Sequence, residues 1–185
     1  MSILFPCWAG LILGSVGFPS AMGVDGRLHN ALKESQAKPT VLLFISHDCP
    51  ICNTYAPAIE RLESAYGSRA SFNLVYCDPS LSAGEAKSHA RQFSISKATL
   101  LLDPKCRIAA FCGATVTPQA VVFDEHARKV YSGRIDDRYI ALGQQRRFPK
   151  SRDLAKALDA VLVHNTPSAA SGPPVGCYIV FPSPS

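Results

Sequence analysis

Hydrophobic and polar positions divide the chain into short elements in a clear order. Val41-Leu42-Leu43-Phe44-Ile45 is an unbroken apolar run of strand length, as expected of a central strand buried on both faces. After it the spacing becomes helical: Ile51, Tyr55, Ile59, Leu62 and Tyr66 form one stripe, Glu60, Arg61 and Glu63 face away, and Gly67 ends the segment. Pro57 lies inside this helix, where its missing N–H and its ring predict a kink. Residues 71–77 alternate and predict a second strand, closed by Asp78-Pro79. A polar helix is expected from Gly84 to Phe93 with Ala86, Ala90 and Phe93 inward, then a short strand over 98–102 stopped by Asp103-Pro104. Lys105 to Cys112 predicts one or two helical turns with Ile108 and Phe111 as its apolar contacts. Residues 120–123 and 130–135, joined by a turn at Asp124 to Arg128, predict an antiparallel hairpin. A last helix is expected from Arg152 to Val163, with Leu154, Ala157, Leu158, Val161 and Leu162 on one side and Ser151 as its cap. Ahead of all these, Leu28, Ala31 and Leu32 suggest a lead-in helix over 26–36.

The two ends read differently. Ile3 to Phe18 carries no charged side chain and is followed by small residues, Pro19-Ser20-Ala21-Met22-Gly23. That is the pattern of a signal-peptide hydrophobic region with a small-x-small exit at Ala21-Met22-Gly23. Export to the periplasm is expected, with an uncleaved membrane tether as the alternative for a front end without Lys or Arg. After His164 the chain turns to Pro, Ser, Ala and Gly. The expected division is a signal peptide or anchor over 1–23, one domain over 24–163 and a tail over 164–185. With 185 residues, 47% hydrophobic and 18% charged, the chain can bury a real core. Its net charge of +5 is modest, and the basic cluster Arg146-Arg147-Phe148-Pro149-Lys150-Ser151-Arg152 reads as a solvated loop. No nucleic-acid partner is expected.

Candidate chemistry concentrates in Ser46-His47-Asp48-Cys49-Pro50-Ile51-Cys52. Two cysteines with two residues between them can close into a small disulfide ring. At a helix start, the first sulfur faces unpaired N–H groups and the positive end of the macrodipole, and both favour the reactive thiolate. Pro50 suits the first helical turn, where its missing N–H costs nothing. The pair is half a zinc site, and no second Cys-x-x-Cys or His-x-x-x-His completes it, so neither a metal nor another cofactor is expected. A purely structural disulfide there would close too short a loop to constrain much chain entropy.

The β-α-β-α order, then a hairpin and a helix, together with Cys49-Pro50-Ile51-Cys52, resembles the thioredoxin-like superfamily. Pro57, five residues past Cys52, matches the helix-kinking proline of thioredoxins. Thr117-Pro118 matches the cis-proline that in this superfamily packs against the disulfide and helps hold a substrate backbone. More narrowly, the chain is similar to exported redoxins related to peroxiredoxins and to membrane-tethered thioredoxin-like proteins. The Cys-Pro-x-Cys-Asn motif, the Asp103 region, Gly113-Ala114-Thr115 before Thr117-Pro118, and 131–138 recur there in this order. The resemblance covers roughly residues 26 to 163, and Val175-Gly176-Cys177 is also familiar. It implies a single α/β domain with a central mixed sheet flanked by helices, and thiol–disulfide exchange with protein or small-molecule disulfides. Cys49, expected to be the more exposed, would attack; Cys52, more buried, would resolve the mixed disulfide. Thr117 and Pro118 would contact substrate and shield Cys49, and an unidentified thiol partner would recycle the pair.

The surroundings depart from the thioredoxin pattern. Asp48 stands where thioredoxins place an aromatic residue; its carboxylate would oppose thiolate formation, and protonated His47 would favour it. Ser46-His47-Asp48-Cys49 also resembles the Thr/Ser-x-x-Cys of peroxiredoxins, which makes peroxide reduction by Cys49 the competing activity. Peroxiredoxins, however, bring an arginine to the cysteine from near where this chain has Thr117-Pro118. Copper delivery through Cys49, Cys52 and His47 or His126 is a third reading, although such carriers space their cysteines one residue wider. Cys77 is expected as a small buried hydrophobe or an extra thiol near Cys49. Cys106 and Cys112 point to different faces of a helix, and Cys177 could resolve, cross-link or bind metal. His29, His89 and His164 read as surface, and Arg134 to Arg138 as a surface ion-pair cluster.

Overall fold

The apolar run Val41 to Ile45 lies on an interior strand of a sheet, and the order of elements around it explains why it carries no polar residue. The structure, a computed structural model, describes residues 17–35, 37–170 and 172–183. In chain order the elements are β1 (Ala21–Gly23), β2 (Leu28–His29), α1 (Ala31–Glu34), β3 (Thr40–Ile45), α2 (Pro50–Tyr66), β4 (Ser71–Tyr76), α3 (Ala83–Gln92) and β5 (Thr99–Leu102). They continue with α4 (Arg107–Cys112), β6 (Val116–Thr117), β7 (Gln119–Phe123), β8 (Lys129–Gly133), β9 (Tyr139–Ala141), β10 (Gln144–Gln145), α5 (Asp153–Val161) and β11 (Cys177–Tyr178). The main sheet runs β2-β1-β5-β4-β3-β7-β8. Within it β3 pairs in parallel with β4 and antiparallel with β7, so the sheet is mixed. The expected hairpin is present as β7 and β8.

Alternate residues of β3 serve two cores. Val41, Leu43 and Ile45 pack with Tyr55 and Ile59 of α2 and Leu154 and Leu158 of α5. Leu42 and Phe44 pack on the other face with Ile108 and Ala109 of α4 and Ala31 of α1. A strand with a core on each side has no position for a solvated residue, hence the continuous apolar run. Each buried Leu or Phe there contributes on the order of 2 kcal/mol relative to an exposed one.

Several short elements differ from the expectation. The lead-in helix is one turn only: Gly26 takes φ +80 in a turn between β1 and β2, and the Asn30 side chain caps α1. Ala21–Gly23, the small-x-small stretch, forms β1, paired with β2 and β5. Phe18 packs edge-on against Phe111 and Phe123. Cleavage after Gly23 would therefore remove a strand from the sheet; the hydrophobic residues before position 17 lie outside the described residues. No described helix is long and apolar enough to cross a membrane. Residues 134–138 form a largely buried brace instead of a surface ion-pair cluster. Arg134 Nε meets Asp153 at 2.6 Å, Asp137 accepts from the amides of Lys150 and Ser151, and Asp136 accepts from the Tyr55 hydroxyl at 2.7 Å. These carboxylates can be buried because N–H and O–H groups surround them.

Asp103 shows the same logic at α4. One oxygen accepts from the Arg107 amide at 2.8 Å, the other from Ile108 at 2.8 Å and Ala109 at 3.1 Å, and the residue is 4% exposed. The first-turn amides of a helix have no partner within the helix, so this single side chain satisfies all three. Asp103→Ala is expected to lower stability by about 2 kcal/mol or more, and Asp103→Asn by less. Urea unfolding of the three proteins checks this; a midpoint for Asp103→Ala equal to the parent's would contradict it.

Candidate functional site

β3 ends at Ile45 on the side of the sheet where α2 begins, and residues 46–49 make the turn between them. Cys49 is the N-cap residue of α2, in extended conformation, with Pro50 at the first helical position. Cys52 lies one turn in. Pro57 is inside α2 as the sequence predicts, on its solvent side. The loop before β7 brings Thr117-Pro118 against the pair, and the peptide bond between them is cis. Thr117 is 4% exposed, and its carbonyl stands 3.6 Å from the Cys49 sulfur. The structure thus brings Thr117 and Pro118 close to Cys49 and Cys52.

Exposure does not separate the two cysteines as expected. Cys49 is 2% exposed and Cys52 3%. The reason is the end of the chain. Instead of hanging free, residues 177–178 form β11, antiparallel to β6, with Cys177 opposite Thr117 and Tyr178 opposite Val116. The Ile179 amide donates to the Thr115 carbonyl at 2.9 Å, and the Ile179 side chain is buried. This places the Cys177 sulfur 2.8 Å from that of Cys49. The composition of the tail hides this pairing, but its one glycine-cysteine step does not: a Cβ on Gly176 would run into the Thr117 carbonyl, so glycine is required where the strand crosses the loop.

The electrostatics differ sharply among the three sulfurs. The thiol of Cys52 donates to Cys49, which is the main reason the Cys49 pKa comes down from its ordinary 9.0 to about 5; burial opposes the shift, and the Cys177 thiol adds to it. Cys52 moves the other way, first because it is buried and then because its proton is held by Cys49. Cys177, exposed on its outer side, is raised to about 11, chiefly by the hydrogen bond to Cys49. Of the three, Cys49 is the one whose surroundings favour the anion, with its two neighbours as donors.

The rest of the motif supports from a distance. The Ser46 hydroxyl donates to the Asp48 carboxylate, which holds Asp48 below the usual carboxylate range, while the Ser46 amide donates to the Cys52 sulfur at 3.5 Å. His47 Nδ1 lies 3.5 Å from Asp78. A cleft of about 350 Å³ opens over Cys49, lined among others by Asp48, Cys77, Asp78, Thr117, Cys177 and Tyr178. Cys77 thus shares the site's cleft, yet burial pushes its thiol up. Cys106 opens α4 and Cys112 ends it, both buried on the far face of the sheet. Among the described residues no three His, Cys, Asp or Glu side chains are grouped to hold a metal ion.

One supporting residue escaped the sequence reading. His89 is buried at 8% exposure rather than on the surface. Burial keeps it below its usual pKa, so its neutral ring accepts from the Tyr76 hydroxyl at 2.9 Å and donates to Asn53 Oδ1 at 2.9 Å. Asn53 in turn donates to the His47 carbonyl at 3.3 Å. The signal was its place three residues after Ala86 on the inward face of α3. This chain of bonds ties the turn before Cys49 to α3.

The chain matches no protein-family model, and it shows no significant similarity to a curated protein. Solved structures do match. An uncharacterised conserved protein from Geobacillus kaustophilus is 23% identical over 91% of this chain and 92% of its own, with a TM-score of 0.77. A hypothetical protein from Sinorhizobium meliloti 1021 is 22% identical over 90% and 92%, also at 0.77. A secreted Mycobacterium tuberculosis disulfide oxidoreductase, homologous to E. coli DsbE, is 22% identical over 60% and 80%, at 0.53. With its mixed sheet, flanking helices and Cys-x-x-Cys at the start of α2, the chain has the thioredoxin-like fold.

Proposed function

We propose that the protein is an exported thiol–disulfide oxidoreductase in which Cys49 attacks and Cys52 resolves. The observation that carries this reading is Cys49 at the N-cap of α2, with Cys52 one helical turn away and the cis Thr117-Pro118 bond against it. The Cys49 thiolate attacks a substrate disulfide, a Cys49–substrate S–S bond forms, and the other substrate sulfur leaves as a thiolate. A second thiol of the protein then loses its proton to a leaving thiolate and attacks the Cys49 sulfur. Its new bond to Cys49 releases the remaining substrate thiolate, and two electrons have passed to the substrate. Thr117 lines the cleft over Cys49, and Pro118 follows it across the cis bond. β11 occupies the edge of β6 beside Cys49, so an extended substrate segment can pair there only in place of β11.

Peroxide reduction has less support. Ser46 directs its hydroxyl to Asp48, and the described residues lining the cleft include no arginine to orient a peroxide. Copper carriage through a histidine has less support, since His47 faces Asp78 at 3.5 Å and His126 faces Glu125 at 3.7 Å. Export is supported by the uncharged stretch from Ile3 and by the secreted character of the Mycobacterium tuberculosis neighbour. Since Ala21–Gly23 belongs to the sheet, a retained tether or a cut before Phe18 fits the fold better than a cut after Gly23.

The reduced full chain, offered insulin and hydrogen peroxide at equal concentration, should be oxidised by the disulfide first. Rapid alkylation with mass spectrometry reads the Cys49 state, and Cys49→Ser should slow insulin reduction by about 100-fold or more. Earlier sulfenic acid at Cys49 would make the protein a peroxidase.

A depressed pKa also has a stability signature. The Cys49 contribution to the reduced protein is complete above the unfolded value near 9.0 and lost as pH falls through about 5. Relative to Cys49→Ser, the reduced protein should therefore gain stability as pH rises through that window. Its thiolate absorbance should titrate near pH 5, and Cys52→Ala, which removes the main donor, should move that midpoint upward. A midpoint already at 9.0 in the parent protein would contradict the hydrogen-bonded thiolate.

A further inference from the structure

Three observations place the chain's last cysteine in the reaction centre. β11 pairs with β6, the strand that leads into Thr117-Pro118, and its register sets Cys177 opposite Thr117. Gly176 is the residue that lets the strand pass the Thr117 carbonyl, and buried Ile179 anchors the other end. The result is a Cys177 sulfur 2.8 Å from Cys49, whereas the outer face of Cys177 meets solvent. A flexible end that merely covered the site would need none of these features.

We propose that Cys177 is a third redox cysteine, delivered by β11, which resolves the Cys49 mixed disulfide as a Cys49–Cys177 disulfide before Cys52 takes over. The inference rests on the thiol–disulfide exchange reading above and refines its order: where β11 stays in place, Cys177 resolves the mixed disulfide and Cys52 resolves the Cys49–Cys177 bond. Once Cys49 has attacked a disulfide R–S–S–R′, R′–S⁻ leaves and Cys49–S–S–R remains. The Cys177 thiol gives its proton to R′–S⁻ and its sulfur attacks Cys49; the Cys49–Cys177 bond forms and R–S⁻ departs. Cys52 then loses its proton to solvent and attacks the Cys49 sulfur, forming Cys49–Cys52 and returning Cys177 as a thiolate.

The order follows from what holds each proton. The main force that raises Cys177 is its hydrogen bond to the Cys49 thiolate. That force vanishes when Cys49 sulfur enters a mixed disulfide, so Cys177 is released to ionise at the moment it is needed. The main force on Cys52 is burial, which a mixed disulfide does not relieve. The exposed thiol is the faster nucleophile, and the buried pair is the final resting place of the oxidising equivalents.

The test uses the reduced full chain carrying Cys52→Ser, with oxidised glutathione as the probe, acid quench, alkylation and peptide mapping. Expected is a Cys49–Cys177 disulfide with two glutathione thiols released per chain. In Cys52→Ser with Cys177→Ser, one thiol is released and glutathione stays on Cys49. Gly176→Ala in the Cys52→Ser background moves β11 without altering any sulfur and should slow ring closure about 10-fold or more. A lasting glutathione adduct on Cys49 in Cys52→Ser, with Cys177 still open to alkylation, overturns this inference alone, because it shows the exchange proceeding without Cys177. Ring closure unchanged by Gly176→Ala overturns the delivery by β11. A Cys49 that fails to react in any variant overturns the exchange reading, and this inference with it.

Discussion

A sulfur anion that is 2% exposed survives only if hydrogen-bond donors replace the water it has lost, and the arrangement around Cys49 meets that demand. One donor, Cys52, comes from the same helix and is part of the motif. The other, Cys177, comes from 128 residues away and arrives through strand pairing. The α2 N-terminus is favourable to the charge, but the thiol donors matter most. A helix start alone would leave Cys49 nearer to ordinary cysteine. The centre is therefore better described as three thiols sharing one negative charge than as a Cys-x-x-Cys pair with a lid.

Such sharing works only if the α2 start is held still, and the fold fixes that helix at several levels. Its inward face packs on the odd residues of β3. Tyr55 reaches Asp136 in the brace after β8, and Tyr66 reaches Asp159 on α5 at 2.8 Å. Asn53 joins His89 to the His47 carbonyl at the other side. Each bond alone contributes about 1 kcal/mol; their combined effect is to leave α2 a single position relative to Thr117-Pro118. The buried carboxylates of 136, 137 and 153 belong to that purpose, which explains why a charged run that looks like surface is inside.

Long periodic segments were legible in the sequence and short ones were not. β3, α2, α5 and the β7–β8 hairpin each have enough residues for a two-fold or 3.6-fold pattern to show. The two-residue β2, β6, β10 and β11 have no period to read, so β1 with β2 passed for part of a leader and a helix, and β11 for tail. Cys49, Cys52, Pro50, Pro57 and Thr117-Pro118 carried the site through resemblance, and the cis bond is where it pointed. The reading of Cys49 as the exposed member of the pair failed because what covers it lies 60 residues from its partner strand in sequence. Composition describes such a tail correctly and says nothing about what it pairs with. His89 was lost for a related reason: a histidine in a polar helix shows its burial only once Tyr76 and Asn53 are beside it.

The same pairing sets what can reach Cys49. β11 joins β6 through a short register, with one further amide bond at Ile179. At about 1 kcal/mol for each neutral hydrogen bond, opening this edge costs a few kcal/mol at most, including the exposure of Ile179. A small disulfide can enter through the cleft of about 350 Å³ while β11 stays in place. On the proposed exchange a protein disulfide would need the edge itself; an extended segment paired with β6 would restore the bonds lost when β11 leaves, and its mixed disulfide would then be left to Cys52. Discrimination between the two classes then depends less on the pocket than on how well a substrate strand replaces residues 176–179. Gly176 is the key to that comparison, since any competing segment must also pass the Thr117 carbonyl without a Cβ at the crossing point or shift its own register to avoid it.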